Sequence, residues 1–259
     1  MPTGETFDSD GIRIAYDDLH PEGDGDAPPV VLVHGFASSR GENWRDREWY
    51  ETLLEDGRRV IAMDCRGHGE SEKPHDPAAY ETDVMAADVA RLLDHLGIEQ
   101  ADFLGYSMGG RIGTEALYRH PERFNAAVLA GIGAATREPS DAGDRIADGL
   151  LADDPDDVTD PLGKRFRVFA ETADNDLEAL AACARTRTAP ADWDDISGVD
   201  HPVVIVAGLD DDITCDPEPL ADGFSNGEAV VIDGKDHLTT VPDERFTEAV
   251  LGFLEREGL

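Results

Sequence analysis

Apolar residues arrive along this chain in short unbroken runs, with amphipathic stretches between them. The runs are Val30-Val31-Leu32-Val33, Val60-Ile61-Ala62-Met63, Ala101 to Leu104, Ala126 to Ala130, Val203 to Ala207 and Ala229 to Ile232. Continuous β-branched runs this short predict strands buried on both faces, as in a parallel sheet. Trp44 to Glu55, Tyr80 to Leu96, Met108 to Pro121 and Asp243 to Arg256 carry helical spacing. In the second of these, Val84, Ala87, Val89, Leu92, Leu93 and Leu96 share an inner side that Gly97 brings to a stop. Residues 5–18 alternate about Ser9-Asp10-Gly11 and predict a β-hairpin. Alternating strands and helices predict an α/β fold with a doubly wound, mostly parallel sheet. Loops at the carboxyl ends of its strands are where functional residues collect.

The rhythm breaks between Gly133 and Val199, where the pattern turns helical and acidic. One core domain over 1–132 and 200–259, interrupted by a small helical lid over 133–199, is the simplest organisation. The lid's apolar positions are Leu150, Leu151, Phe166, Val168, Phe169, Leu177 and Leu180, candidates to line a pocket or to pack on the core. Its acidic run Asp153-Asp154-Pro155-Asp156-Asp157 is expected to disfavour anionic substrates.

Charge narrows the partners. Against 57 acidic residues stand 22 basic ones, a formal net charge of -35. Such a surface repels nucleic acid and anionic membranes, which leaves a small molecule as the expected partner. Recurrent apolar runs exclude the disorder that strong acidity otherwise signals. Lys73, Lys164 and Lys235 are the only lysines, and acidic, lysine-poor composition resembles that of proteins from salt-in halophiles. Self-repulsion of this size is relieved as salt screens it. Cys65, Cys183 and Cys215 are odd in number and widely spaced, which fits a reducing cytoplasm better than a disulfide scaffold or zinc site. Met1-Pro2-Thr3-Gly4-Glu5 lacks the basic and apolar pattern of a signal peptide. No apolar run approaches the ~20 residues of a membrane span. Glu22, Asp24 and Asp26 read as a solvated acidic loop rather than a cation site. The pattern specifies no oligomeric state.

The chemistry centres on Gly105-Tyr106-Ser107-Met108-Gly109, set between a predicted strand and a predicted helix. That context turns a glycine-flanked serine into a candidate nucleophile elbow. The turn is sharp, and it lifts the hydroxyl above the sheet beside a helix N-terminus, where backbone N–H groups favour a developing oxyanion. Serine needs a base within reach and a third group to orient it. His34 and His68 precede the serine, His201 sits at a strand entry, and His120 ends the elbow helix far from the hydroxyl. His237 remains, five residues past Ile232 in a strand-end loop. The strand ending at Gly208 is followed by Asp210, Asp211 and Asp212, and spacing alone leaves all three open as the acid.

Five segments now stand in order: His34-Gly35-Phe36, Asp64-x-Arg66-Gly67-x-Gly69-x-Ser71, Gly105-x-Ser107-x-Gly109-Gly110, Gly208-x-x-Asp211 and Gly234-x-x-His237. Through them the chain resembles the α/β-hydrolase fold superfamily, and within it the serine esterases, over nearly its full length. The resemblance implies Ser107 as nucleophile, His237 as base and Asp211 as the acid. It implies an oxyanion hole made by the backbone N–H groups of Phe36 and Met108, structural roles for His34 and Asp64, and neither cofactor nor metal. Serine in place of aspartate disfavours the haloalkane dehalogenase and epoxide hydrolase branches. The expected reaction is hydrolysis of small or medium carboxylic esters through an acyl-enzyme. Alternatives on the same triad are a carbon–carbon bond hydrolase, a perhydrolase or haloperoxidase, an aminopeptidase and a non-catalytic receptor. For the first of these, Arg185 or Arg187 could serve as the lid arginine, but Leu238 stands where that branch often has tryptophan.

Overall fold

The computed structural model describes residues 4–23, 27–138, 140–186, 196–214 and 216–257. Met1-Pro2-Thr3, Asp24, Asp26, Arg187 and Cys215, all considered above, lie outside the described residues. The strands are β1 (Glu5–Ser9), β2 (Ile12–Leu19), β3 (Val30–Val33), β4 (Val60–Met63), β5 (Ala101–Tyr106), β6 (Phe124–Ala130), β7 (Pro202–Gly208) and β8 (Asn226–Ile232). They form one sheet in the order β1-β2-β4-β3-β5-β6-β7-β8. Strands β3 to β8 run parallel, whereas β1 and β2 pair antiparallel with each other and β2 joins β4 antiparallel. The hairpin turns on Asp10 and Gly11, with φ of 54° and 83°. Two successive left-handed residues give the two-residue turn whose twist matches that of the strands it joins.

The helices are α1 (Arg40–Asn43), α2 (Trp49–Glu55), α3 (Thr82–His95), α4 (Met108–Arg119), α5 (Ala142–Leu150), α6 (Pro161–Thr172), α7 (Leu177–Thr186), α8 (Glu218–Ala221) and α9 (Glu244–Glu257). Side chains alternate along each central strand, and this sorts them into two cores. Val31, Val33, Ile61, Phe103 and Ile205 pack under α3 and α4 through Val89, Leu92, Ile112 and Leu117. Val30, Leu32, Val60, Leu104 and Val204 pack under α2 and α9 through Trp49, Leu53, Phe246 and Val250. The continuous apolar runs of the sequence are the mark of this two-sided burial.

Two elements depart from expectation. The helix expected over Trp44–Glu55 forms only from Trp49, as α2; Arg45–Arg47 make a short 3-10 turn instead, and α1 (Arg40–Asn43) lies before the expected range. Glu48 breaks the expected helix by adopting a left-handed φ of 62°, and Ser39 caps α1 by accepting the Glu42 N–H at 3.2 Å. The last strand begins at Asn226 rather than Ala229, because β8 is an edge strand whose outer positions need not be apolar.

Helices α5, α6 and α7 lie between β6 and β7. Ile146, Ala147, Leu150 and Leu180 join the core that covers α3 and α4, while Leu151 is exposed. Arg167 of α6 donates to the carbonyls of Gly149, Leu150 and Ala152, closing the C-terminal end of α5. Arg58 and Arg66 are buried as well, paired with Asp102 and Asp88. No helix among the described residues is long and apolar enough to cross a membrane.

Candidate active site

Ser107 stands between the last residue of β5 and the first of α4, at φ 54° and ψ -107°. A side chain in this region is strained, and surrounding structure must hold it there. Two glycines make the holding possible. A Cβ on Gly109 would stand 2.0 Å from the Val33 carbonyl oxygen, and one on Gly105 would stand 2.4 Å from that of Gly109. Helix α4 can therefore cross directly over β3 and β5. The turn is tied down by the Ser107 N–H, which donates to the Ala130 carbonyl at 2.7 Å.

Two further strand ends bring partners to the hydroxyl. Nε2 of His237 lies 2.9 Å from the Ser107 Oγ, and Nδ1 of the same ring lies 2.7 Å from Oδ2 of Asp211. A carboxylate can only accept, so Nδ1 carries the proton and Nε2 presents its lone pair to the hydroxyl. The other oxygen of Asp211 accepts the backbone N–H groups of Ile213 and Thr214 at 3.0 and 3.1 Å. Burial raises the Asp211 carboxyl more than any other single effect, yet His237, the Ile213 amide and the Thr214 side chain together hold it below the usual carboxylate range. The loops carrying acid and base are locked together: Asp210 N–H donates to the Lys235 carbonyl at 2.9 Å. Tyr106, the residue before Ser107, donates its hydroxyl to the His237 carbonyl and sets its ring 5.3 Å from the imidazole. Asp210 and Asp212 are exposed at the rim, and Asp212 faces Arg165 at 3.8 Å. The structure thus joins Asp211, of the three candidates, to His237.

Met108 opens α4, so its N–H has no partner within the helix by position. Phe36 follows Gly35 on a loop held from several sides. The Gly35 N–H donates to Asn43 Oδ1 at 3.0 Å, and its carbonyl accepts His34 Nδ1 at 2.7 Å. Nε2 of His34 accepts the Cys65 N–H at 3.0 Å, which ties the β3 loop to the β4 loop. Asp64 gathers the Arg40 N–H and side chain and the Glu70 N–H, so both residues sit in bracing positions. Asn43, Arg40 and Tyr106 are contributors that sequence reasoning passed over. Only Tyr106 carried a local signal, as the variable position inside the elbow motif.

Burial pushes His34 down to about 4 and His68 down to about 3. Both are neutral in the fold, whereas the unfolded chain takes up their protons below the ordinary value near ~6.5. Protons then favour the unfolded state, so stability falls as pH drops from about 6.5 towards the folded values, by ~1.4 kcal/mol per unit for each ring. The melting temperature is expected to drop steadily between pH 6.5 and 4.5. A flat profile over that range would contradict the burial of both rings.

Above Ser107 lies a cavity of about 900 Å³. Its floor is Gly35, Phe36, Tyr106, Ser107 and His237, and Phe166, Val168 and Phe169 of α6 form an apolar wall. Of the apolar positions considered in the sequence, these three reach the cavity, while Leu150 and Leu180 are buried in the core. Glu42, Asp46, Asp210, Asp212 and Asp236 also face it, against Arg47 and Arg165. The negative rim comes from these residues and not from the run Asp153–Asp157, which does not line the cavity.

A family profile described as "alpha/beta hydrolase fold" matches residues 28–177. A 3-oxoadipate enol-lactonase 2 from Acinetobacter baylyi is 28% identical over 257 residues, covering 90% of this chain and 91% of the relative. A 2-hydroxymuconate semialdehyde hydrolase from a Pseudomonas species is 42% identical over 123 residues, covering 47% of this chain and 40% of the relative. Among solved structures, a hydrolase from Pseudomonas aeruginosa superposes with a TM-score of 0.81 at 26% identity, covering 97% of this chain and 99% of that one.

Proposed function

Because the chain belongs to the α/β-hydrolase fold family, we propose that it is a serine hydrolase that cleaves carboxylic esters of small to medium acyl chains. The observation that carries this reading is the unbroken chain from Ser107 Oγ through His237 to Asp211 beneath an open cavity. His237 Nε2 takes the hydroxyl proton as Oγ bonds to the ester carbonyl carbon. The carbonyl π electrons move to oxygen, which accepts the N–H groups of Phe36 and Met108; one such donor is typically worth ~10²–10³ in rate. Collapse expels the alcohol, which leaves with the proton held on His237. Water then loses a proton to His237 and attacks the acyl-enzyme, releasing the acid and restoring Ser107. In this reading residues 133–199 form a cap over a core built from 1–132 and 200–259. A salt-rich cytoplasm suits the acidic surface and the buried thiols of Cys65 and Cys183.

The enol-lactonase relative supports ester cleavage, since its name describes opening of a cyclic ester. The semialdehyde hydrolase relative favours a second reading, carbon–carbon bond hydrolysis. A p-nitrophenyl ester series from acetate to decanoate in molar KCl separates the two. Activity that declines with chain length is expected, because the α6 wall closes the apolar side of the cavity. A succinyl hemiester is expected to react more slowly than its neutral analogue, since five carboxylates and two guanidiniums face the cavity. A folded protein inert on every ester, yet active on a muconate semialdehyde, would replace the first reading with the second.

A further inference from the structure

The loop carrying Phe36 is held from the core by Asn43 and His34, but its far side is held by a residue 138 positions away. Ala37, directly after Phe36, is fully buried at a left-handed φ of 60°, an uncomfortable conformation for a residue with a Cβ. Its carbonyl accepts the side-chain amide of Asn175 at 2.9 Å. Asn175 has little freedom of its own. Helix α6 ends in a Schellman motif: the Asp174 N–H donates to Glu171 and the Asn175 N–H to Ala170, with Asp174 left-handed at φ 52°. The next residue, Asp176, starts α7 by accepting the Ala179 N–H at 3.0 Å. The joint is also pinned from the β4 loop, where the His75 ring nitrogens lie 3.1 Å from Asp176 and 3.1 Å from Glu178. On the same side the Phe36 ring meets Phe166 of α6 edge to face at 5.5 Å.

We infer that Asn175 is a positioning residue of the oxyanion hole: by holding the Ala37 carbonyl it keeps the Phe36 N–H aimed at the developing oxyanion, and it makes that aim depend on the α6–α7 joint. The inference rests on the reading of Phe36 as an oxyanion donor. Its amide touches backbone and no reacting atom. Loss of it therefore loosens a transition-state contact and leaves ground-state binding intact, a change in kcat and not in KM.

The test compares wild type, Asn175→Ala, Asn175→Asp and Ser107→Ala on p-nitrophenyl acetate, butyrate and octanoate, with rates normalised by active-site titration and melting temperatures recorded. For Asn175→Ala, kcat is expected to fall about tenfold, the scale of one neutral hydrogen bond, with KM within about twofold. Asn175→Asp, which cannot donate and sets a carboxylate against the Ala37 carbonyl, is expected to be no better than alanine. Affinity for a trifluoromethyl ketone, whose hemiketal oxygen sits where the oxyanion forms, is expected to weaken in step with kcat/KM. Wild-type kcat per titrated site in Asn175→Ala would overturn the inference. So would a rise in KM that grows with acyl length, which would make Asn175 a substrate contact. Undiminished activity in Ser107→Ala would instead sink the reading of the site itself.

Discussion

Ser107→Ala is expected to lower kcat/KM on p-nitrophenyl butyrate by about 10⁴-fold or more and to leave the melting temperature nearly unchanged. The activity term is large because the hydroxyl is the atom that would bond to carbon, and nothing beside it can substitute. Asp211, His237 and the backbone amides all remain, so the residual rate reports what the oxyanion hole and binding achieve alone. The stability term is small because Ser107 Oγ is bonded to His237, while the turn is held through its backbone. Asp211→Asn is expected to cost a comparable ~10⁴-fold by a different route. An amide N–H facing Nδ1 would move the imidazole proton to Nε2, the nitrogen that must accept from the hydroxyl. Active-site titration would report the loss of the nucleophile in the first variant and its retention with slow acylation in the second. Near wild-type turnover in either would exclude the triad chemistry.

The second large effect is on folding. Gly109→Ala would drive a Cβ to 2.0 Å from the Val33 carbonyl oxygen and 2.7 Å from its carbon. Neither side can yield. Val33 is fully buried in a strand paired on both edges, with β4 and with β5, and Gly109 lies in the first turn of α4. Ordinary overpacking costs ~1–3 kcal/mol against side chains that can shift. Against backbone the cost is expected to exceed that range, lowering the melting temperature by more than about 10 °C, or preventing soluble expression. Gly252→Ala is the control. It lies in α9 with nothing within 4 Å of the added carbon, and alanine there is expected to stabilise the helix by ~0.5–1 kcal/mol. Equal melting temperatures for Gly109→Ala and wild type would mean that α4 does not cross the sheet this closely.

What could be read from the chain was local. Asp10-Gly11 announced its hairpin because two left-handed residues have a compositional signature. The strand runs announced a two-sided sheet because burial on both faces removes polar alternation. The elbow was legible because its glycines, serine and flanking elements are contiguous. Asp211 needed more than spacing: its neighbours Asp210 and Asp212 have the same chemistry, and what separates them is that Asp211 turns inward to the imidazole while they face the rim. The break at Glu48 left no trace, since a left-handed glutamate looks like any helical glutamate in sequence. The bracing of the Phe36 loop was invisible for another reason. Arg40 meets Asp64 across 24 positions and Asn175 meets Ala37 across 138, and such pairings exist only once the chain is folded. Asp174-Asn175-Asp176 did carry the look of a cap between two helices, but nothing in it named a partner.

The strain at Ser107 lies in its backbone and Cβ and is held by the crossing of α4 over the sheet that Gly105 and Gly109 allow, while the hydroxyl takes no part in it. The side chain proposed as nucleophile is therefore an interchangeable part. A cysteine or an aspartate at this position would inherit the same perch without any new backbone adjustment, so a single codon separates an acyl-serine ester from an acyl thioester or an aspartyl alkyl ester. The backbone decides where a covalent bond is made, and one replaceable side chain decides which bond it is. A scaffold divided in this way can diversify its chemistry by mutation at one residue while its folding problem stays solved.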